Sequence, residues 1–137
     1  MCTARLRCDD AQWVITMAEG SVAPPLDLAK ALTLAGGDKT LLIELTELFL
    51  EELPGRLDAL QAAIREGDAK HTRHEAHSLK GALANLGATA ACDLAYELEG
   101  LGRAASLETA PAALRRLEQE LERITGFLAV PGWCDRA

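Results

Sequence analysis

One short segment of this chain carries the residues best suited to chemistry, because His77 lies in the run AHSLKGA at residues 76–82. Gly81 sits in the same run, where a glycine inside a helix costs about 1 kcal/mol relative to alanine. On a helix, Gly81 lies one turn beyond His77 and about 40° around the axis, so its absent side chain leaves space beside the imidazole. The pattern predicts that another molecule must reach this ring.

The helix face that carries His77 also holds cations. With His77 at zero, Arg73 and Lys80 fall at about −40° and −60°, and His74 falls at about 60°. Positive neighbours disfavour the imidazolium, so the ring is expected to be neutral and nucleophilic, as covalent catalysis by histidine requires. If the ring accepted a phosphoryl group, Lys80 and Arg73 could balance the added negative charge. Three further residues share this face: Lys70, Gly81 and Ala84.

Apolar residues recur at intervals of three and four along most of the chain, which predicts an all-helical protein. Pro54 interrupts one long stripe, so we expect a kinked helix there, with a break into two helices as the alternative. Gly87 is expected to end the His77 helix, and Gly100 and Gly102 are expected to fray the end of the next one. The predicted helices cover residues 26–34, 38–67, 69–86, 88–101 and 109–128.

Four substantial amphipathic helices joined by short connections are typical of one all-α architecture, the antiparallel up-and-down four-helix bundle. Here a short additional N-terminal helix would precede the bundle. The predicted organisation is an irregular N-terminal arm or linker at 1–25, the bundle at 26–130 and a short C-terminal tail at 131–137. Because one chain supplies the whole bundle, we expect a monomer.

Composition excludes several classes of function. The net charge of −7 argues against nucleic-acid binding, which requires a basic surface. The four cysteines form no CxxC pair, which indicates neither a zinc site nor a disulfide framework. No apolar run approaches the roughly 18 residues of a membrane span, and no signal-type apolar core follows the first residues. These observations predict a cytoplasmic protein with reduced thiols and no membrane insertion.

The run around His77, followed by NLGA at 85–88, resembles the signature of histidine-containing phosphotransfer (HPt) domains. The likeness covers roughly residues 26–128 and includes the short motifs at 26–28, 37–38, 48–50, 67–68 and 98–99. It implies a four-helix bundle in which His77 accepts a phosphoryl group on Nε2. The donor would be the aspartyl phosphate of a receiver domain, and a second receiver would take the group from His77.

The same resemblance implies roles for the neighbours of His77. Lys80 would be its electrostatic partner, and Gly81 would give clearance for docking. The residues bordering the partner surface would be Ala84, Asn85 and Gly87.

The resemblance also implies which molecules the chain meets. The expected partners are response-regulator receiver domains and a hybrid sensor histidine kinase. The sequence contains no Gly-rich nucleotide loop, so no autonomous kinase activity is expected. Mg²⁺ is expected only in the receiver, and no cofactor is expected in this chain.

Two alternatives to phosphotransfer remain at this point. His71, His74 and His77 are spaced by threes, and His71 forms an HxxxE pair with Glu75, a pattern that helical bundles use to bind metals. The three histidines nevertheless fan over about 120° of the helix, which disfavours one shared metal ion. The second alternative is a bundle that binds a receiver without carrying phosphate.

Overall fold

A computed structural model describes residues 24–136, and every regular element in that range is helical. This confirms the all-α prediction for the described part of the chain. Residues 1–23 of the predicted N-terminal arm lie outside the described residues. The helices are α1 Leu28–Leu34, α2 Lys39–Arg65, α3 Ala69–Asn85, α4 Thr89–Arg103 and α5 Ala110–Leu128, followed by a 3₁₀ turn at Trp133–Arg136.

Aspartate side chains begin three of these helices. Asp27, Asp38 and Asp68 each accept a hydrogen bond from the backbone N–H three residues ahead, at 3.0 to 3.1 Å. Such caps satisfy donors that have no partner within the helix. Asp38 begins the longest helix, α2. At Thr109, the predicted start of α5, the side chain makes no capping bond, and Pro111 occupies the first turn.

Helix α2 is continuous through Pro54. The alternative of two separate helices is therefore wrong, and the kink itself stays a prediction. Pro54 is exposed, so water can satisfy the backbone carbonyl that loses its helical donor there. The apolar stripe stays in phase on both sides of the proline, with Phe49 and Leu60 both buried.

The four long helices enclose the main core. Helix α3 packs between α2 and α4, α4 also contacts α5, and α5 contacts α2. The apolar side of α3 faces this core: Ala76, Leu79, Leu83 and Leu86 are buried and Ala82 is partly buried. The most extensive contact between described helices is that of α3 with α4, the pair that carries the candidate site.

A smaller cluster closes one end of the molecule. Ala31 and Ala35 of α1 and the adjoining turn pack with Leu42 of α2 and with Cys134 near the C-terminus. Trp133 lies against both this cluster and the main core. The residues predicted as a short tail therefore contribute to packing.

Candidate functional site

His77 lies on the outer face of α3, with 65% of its side chain exposed. Its Nδ1 is 2.9 Å from Oε2 of Glu99, which belongs to α4. An ionised carboxylate can only accept a hydrogen bond, so Nδ1 carries the proton and donates it. In the neutral ring, Nε2 then holds a free lone pair, and within residues 24–136 no other group bonds to it. The geometry presents Nε2 as a nucleophile.

Glu99 is the centre of the charges at this site. It is only 4% exposed, and its carboxylate accepts from Lys80 Nζ at 2.6 Å and from Arg103 at 3.2 Å, in addition to His77. The hydrogen bond from Lys80 lowers the pKa of Glu99 below its ordinary value of 4.5, burial opposes the shift, and the bond with His77 adds to it. Glu99 is therefore a buried anion matched to three cationic or donor groups.

A glycine brings α4 close enough to place Glu99 against His77. Gly102 is buried where α4 crosses α3, and a Cβ built on it would lie 2.6 Å from the backbone nitrogen of Arg73 and 2.8 Å from the carbonyl oxygen of Ala69. Only a residue without a side chain allows this approach. The prediction that Gly102 frays the end of the helix is wrong, because α4 continues to Arg103.

Glu99 is absent from the predicted site residues, although the sequence of α4 contains a signal for it. Ala91, Ala95, Leu98 and Gly102 form the buried stripe of α4, with intervals of four, three and four. Glu99 falls within that stripe, four residues after Ala95 and three before Gly102. A carboxylate on a core-facing stripe must have partners, and the exposed His77 and the half-buried Lys80 of α3 are among the groups that supply them.

The buried Glu99 makes stability depend on pH, and Glu99→Gln tests this. A carboxyl group whose pKa is lowered by folding contributes stability that is full above its unfolded-state pKa and is lost as pH falls through the folded-state pKa. At about pH 7 we expect Glu99→Gln to lower the free energy of unfolding by about 1–3 kcal/mol. The difference from wild type should shrink on acidification below about pH 4.5.

Urea unfolding followed by circular dichroism at several pH values measures this difference. Glu122→Gln is the matched control, because Glu122 is exposed on α5. Its stability should follow that of the wild type at every pH. If the difference in free energy of unfolding between wild type and Glu99→Gln stayed constant from about pH 7 to about pH 3, it would contradict the assignment of an ionised, paired Glu99.

Six other predicted site residues are exposed on α3. Lys70, Arg73 and His74 are exposed, and their side chains make no hydrogen bond or ion pair with another described residue. The helix wheel places only cations around His77, whereas the structure adds the Glu99 carboxylate in direct contact with the ring. Three small or polar residues are exposed on the C-terminal half of α3: Gly81, Ala84 and Asn85.

Gly87 does not match its prediction as part of the partner surface. It is buried, with φ at +69°, and its carbonyl accepts a hydrogen bond of 2.8 Å from the backbone N–H of Asp27. A Cβ at this position would lie 2.5 Å from the carbonyl oxygen of Asp27. Gly87 therefore ends α3 and seats the start of α1, and a partner cannot contact it without displacing that segment.

The histidine triplet does not assemble a metal site. Within the described residues, no group of three or more His, Cys, Asp or Glu side chains is arranged to hold a metal ion. His71 contacts Asp68, the cap of its own helix, and both His71 and His74 are exposed. This geometry disfavours the metal alternative.

No helix among residues 24–136 combines the length and apolar character needed to span a membrane.

Comparison with known proteins identifies the class to which this helical bundle and its exposed histidine belong. The family model of the Hpt domain matches residues 44–126, and the chain therefore belongs to the Hpt domain family. Members of this family are phosphocarriers rather than enzymes, so a histidine phosphotransfer role in a phosphorelay follows.

Among solved structures, the chain is similar to histidine-containing phosphotransfer protein B (HptB) from Pseudomonas aeruginosa PAO1. The two share 31% sequence identity with a TM-score of 0.74, and the match covers 85% of this chain and 99% of that one. A comparison with curated proteins found no match.

Proposed function

We propose that His77 carries a phosphoryl group from the aspartyl phosphate of one receiver domain to the aspartate of another. The observation that carries this proposal is the state of the imidazole. Its Nδ1 proton is held by the buried Glu99, and its Nε2 faces outward on a side chain that is 65% exposed. A phosphoryl carrier needs one accessible nucleophilic nitrogen and a fixed ring orientation.

The transfer step balances without an additional proton acceptor. Nε2 attacks the phosphorus, the N–P bond forms as the P–O bond to the aspartate breaks, and the aspartate leaves as a carboxylate. The neutral ring attacks with its lone pair, so the phosphorylated ring gains positive charge. Glu99 lies at Nδ1, where it stabilises that charge. Transfer to the second receiver is the same step in reverse.

The neighbours of His77 would guide docking. Lys80, one helical turn from His77, would offset the charge of the phosphoryl group, and Lys70 and Arg73 would add positive potential towards an acidic receiver pocket. His74, Ala84 and Asn85 are exposed on the same helix and would border the partner.

The receiver would supply what this chain does not. Mg²⁺ would belong to the acidic pocket of the receiver, and a hybrid sensor histidine kinase would supply the phosphoryl group at the start of the relay. We further propose that the chain acts in the cytoplasm as a monomer, binds no nucleic acid and performs no kinase reaction of its own. The short connections and the packing of consecutive helices support an antiparallel up-and-down arrangement of α2 to α5.

Mapping the phosphorylated residue tests the proposal. The full chain is incubated with a receiver domain that carries a radiolabelled aspartyl phosphate, and the acid-labile label is then located by peptide mapping under alkaline conditions. We expect the label on His77. Label on another residue would overturn the mechanism, and docking without any label would favour a receiver-binding module that carries no phosphate.

Gly81→Glu is expected to block transfer while the fold is kept. A Cβ on Gly81 meets no atom within 4 Å, and replacing glycine in a helix interior gains up to about 1 kcal/mol of helix propensity. The carboxylate would add bulk and negative charge beside His77, and like charges across an interface cost several kcal/mol. We expect the transfer rate to fall by about tenfold or more.

Gly81→Ala separates charge and bulk from the change in helix propensity. It should show the same gain in thermal stability and a much smaller loss of transfer rate. Transfer assays quenched at successive times measure the rate, and thermal unfolding measures the stability. Wild-type transfer by Gly81→Glu would refute the role of Gly81 in clearance.

A further inference from the structure

One exposed aromatic side chain beside the site has no role in the chemistry described so far. Tyr96 is the only tyrosine of the chain, lies on α4 and is 58% exposed. It does not belong to the core. Its ring lies next to Lys80 of α3, with Nζ 5.2 Å from the ring centroid, a distance within the range of a cation–π interaction.

The Lys80 ammonium therefore has two partners on α4. Glu99 accepts from it at 2.6 Å, and the Tyr96 ring lies one helical turn before Glu99, on the same side of α4. A lysine on a helix surface normally samples many rotamers in solvent. Here the Lys80 side chain is only 26% exposed, because it lies against α4 instead of extending into water.

We infer that Tyr96 is a positioning residue that holds the Lys80 ammonium on Glu99 and beside His77. The carboxylate supplies the charge, and the ring face closes the side from which the ammonium would otherwise swing into solvent. The charge of Lys80 is thereby placed next to the phosphoacceptor before a partner docks, which lowers the ordering required during transfer. This inference deepens the proposed function, and its effect on transfer rests on that function.

Two substitutions separate the ring from its hydroxyl group. Tyr96→Phe keeps the aromatic face and removes only the OH, so Lys80 should stay in place. Tyr96→Leu keeps apolar bulk but removes the π face. Because Tyr96 is exposed, both variants should fold like the wild type, and circular dichroism checks this.

Nuclear magnetic resonance observes the contact directly, whether or not phosphate is carried. In the wild type and in Tyr96→Phe, the ring current should shift the Lys80 ε-protons upfield. In Tyr96→Leu the shift should be lost. Unshifted ε-protons in the wild type, or an unchanged shift in Tyr96→Leu, would overturn the inference.

A transfer assay provides the functional measurement. Each variant is phosphorylated at His77 with phosphoramidate, a small phosphoryl donor that needs no docking. The transfer of the phosphoryl group to an unphosphorylated receiver domain is then followed. Tyr96→Leu should transfer about two- to fivefold more slowly, with Tyr96→Phe restoring most of the rate. Equal rates in wild type and Tyr96→Leu would also contradict the positioning role. If the wild type takes no label on His77, the proposed function fails, while the resonance experiment still decides the Tyr96 contact.

Discussion

Replacing His77 with glutamine is expected to reduce phosphoryl acceptance to background while the helices stay folded. Glutamine can still donate a hydrogen bond from its amide to Glu99 and so keep that carboxylate partnered. It offers no nucleophilic nitrogen, because an amide nitrogen has its lone pair delocalised into the carbonyl. His77 lies mostly outside the core, so the free energy of unfolding should change by less than about 1 kcal/mol.

The matched control for this variant is His71→Gln. His71 is another exposed histidine of α3, bonds to its capping Asp68, and lines a surface depression with Ala62 of α2 instead of lying at Glu99. It should accept the phosphoryl group at the wild-type rate. Receiver binding, measured by calorimetry, should persist in His77→Gln, which distinguishes loss of chemistry from loss of docking. Acid-labile label on the His77→Gln protein would exclude His77 as the acceptor.

The fold follows from local patterns that one sequence contains. Intervals of three and four mark the buried stripes, Asp38 marks the start of α2, and Gly67 marks the turn before α3 with φ at +70°. Helix ends were predicted within a few residues for the same reason. The ordered 3₁₀ turn at 133–136 was missed because its packing depends on contacts with α1 and α2, which no local pattern reveals.

Only the residues of the site that lie on α3 could be predicted from the sequence, and the reason is physical. His77, Lys80 and Gly81 share one helix face, so spacing alone places them together. Glu99 and Tyr96 reach the site from α4, and their contacts depend on how closely two helices cross. That distance is a property of tertiary packing. The spacing on α3 alone therefore predicts a purely positive charge around His77, whereas the structure places a buried carboxylate against the ring.

The same carboxylate connects stability with chemistry. Glu99 is stabilised by Lys80, His77 and Arg103, and in return it fixes the ring tautomer and the position of the ammonium. In the proposed mechanism, a phosphoryl group on His77 would compete with Glu99 for Lys80. Arg103, which is 53% exposed on α4, would still pair with Glu99 during that exchange, so the buried charge would keep a partner.

All of these contacts depend on the close crossing of α3 and α4, which Gly102→Ala is expected to disrupt. The added methyl group would lie within 3 Å of three backbone atoms of α3, namely the nitrogen and Cα of Arg73 and the carbonyl oxygen of Ala69. Backbone atoms inside a helix cannot rotate away as a side chain can, so the helices must separate. Overpacking of this kind costs about 1–3 kcal/mol, and it opposes the gain in helix propensity of about 1 kcal/mol.

Gly100→Ala in the same helix is the control that isolates the clash. A Cβ on Gly100 meets no atom within 4 Å, so this variant gains helix propensity without overpacking and should be up to about 1 kcal/mol more stable than the wild type. The urea concentration at the midpoint of unfolding should therefore rise for Gly100→Ala and fall for Gly102→Ala, although the same substitution is made only two residues apart. Separation of the helices would also lengthen the contact from His77 to Glu99, so Gly102→Ala should transfer phosphate more slowly even under conditions where it is fully folded. Equal stability of the two alanine variants would show that α4 does not need the absent side chain of Gly102 to reach His77.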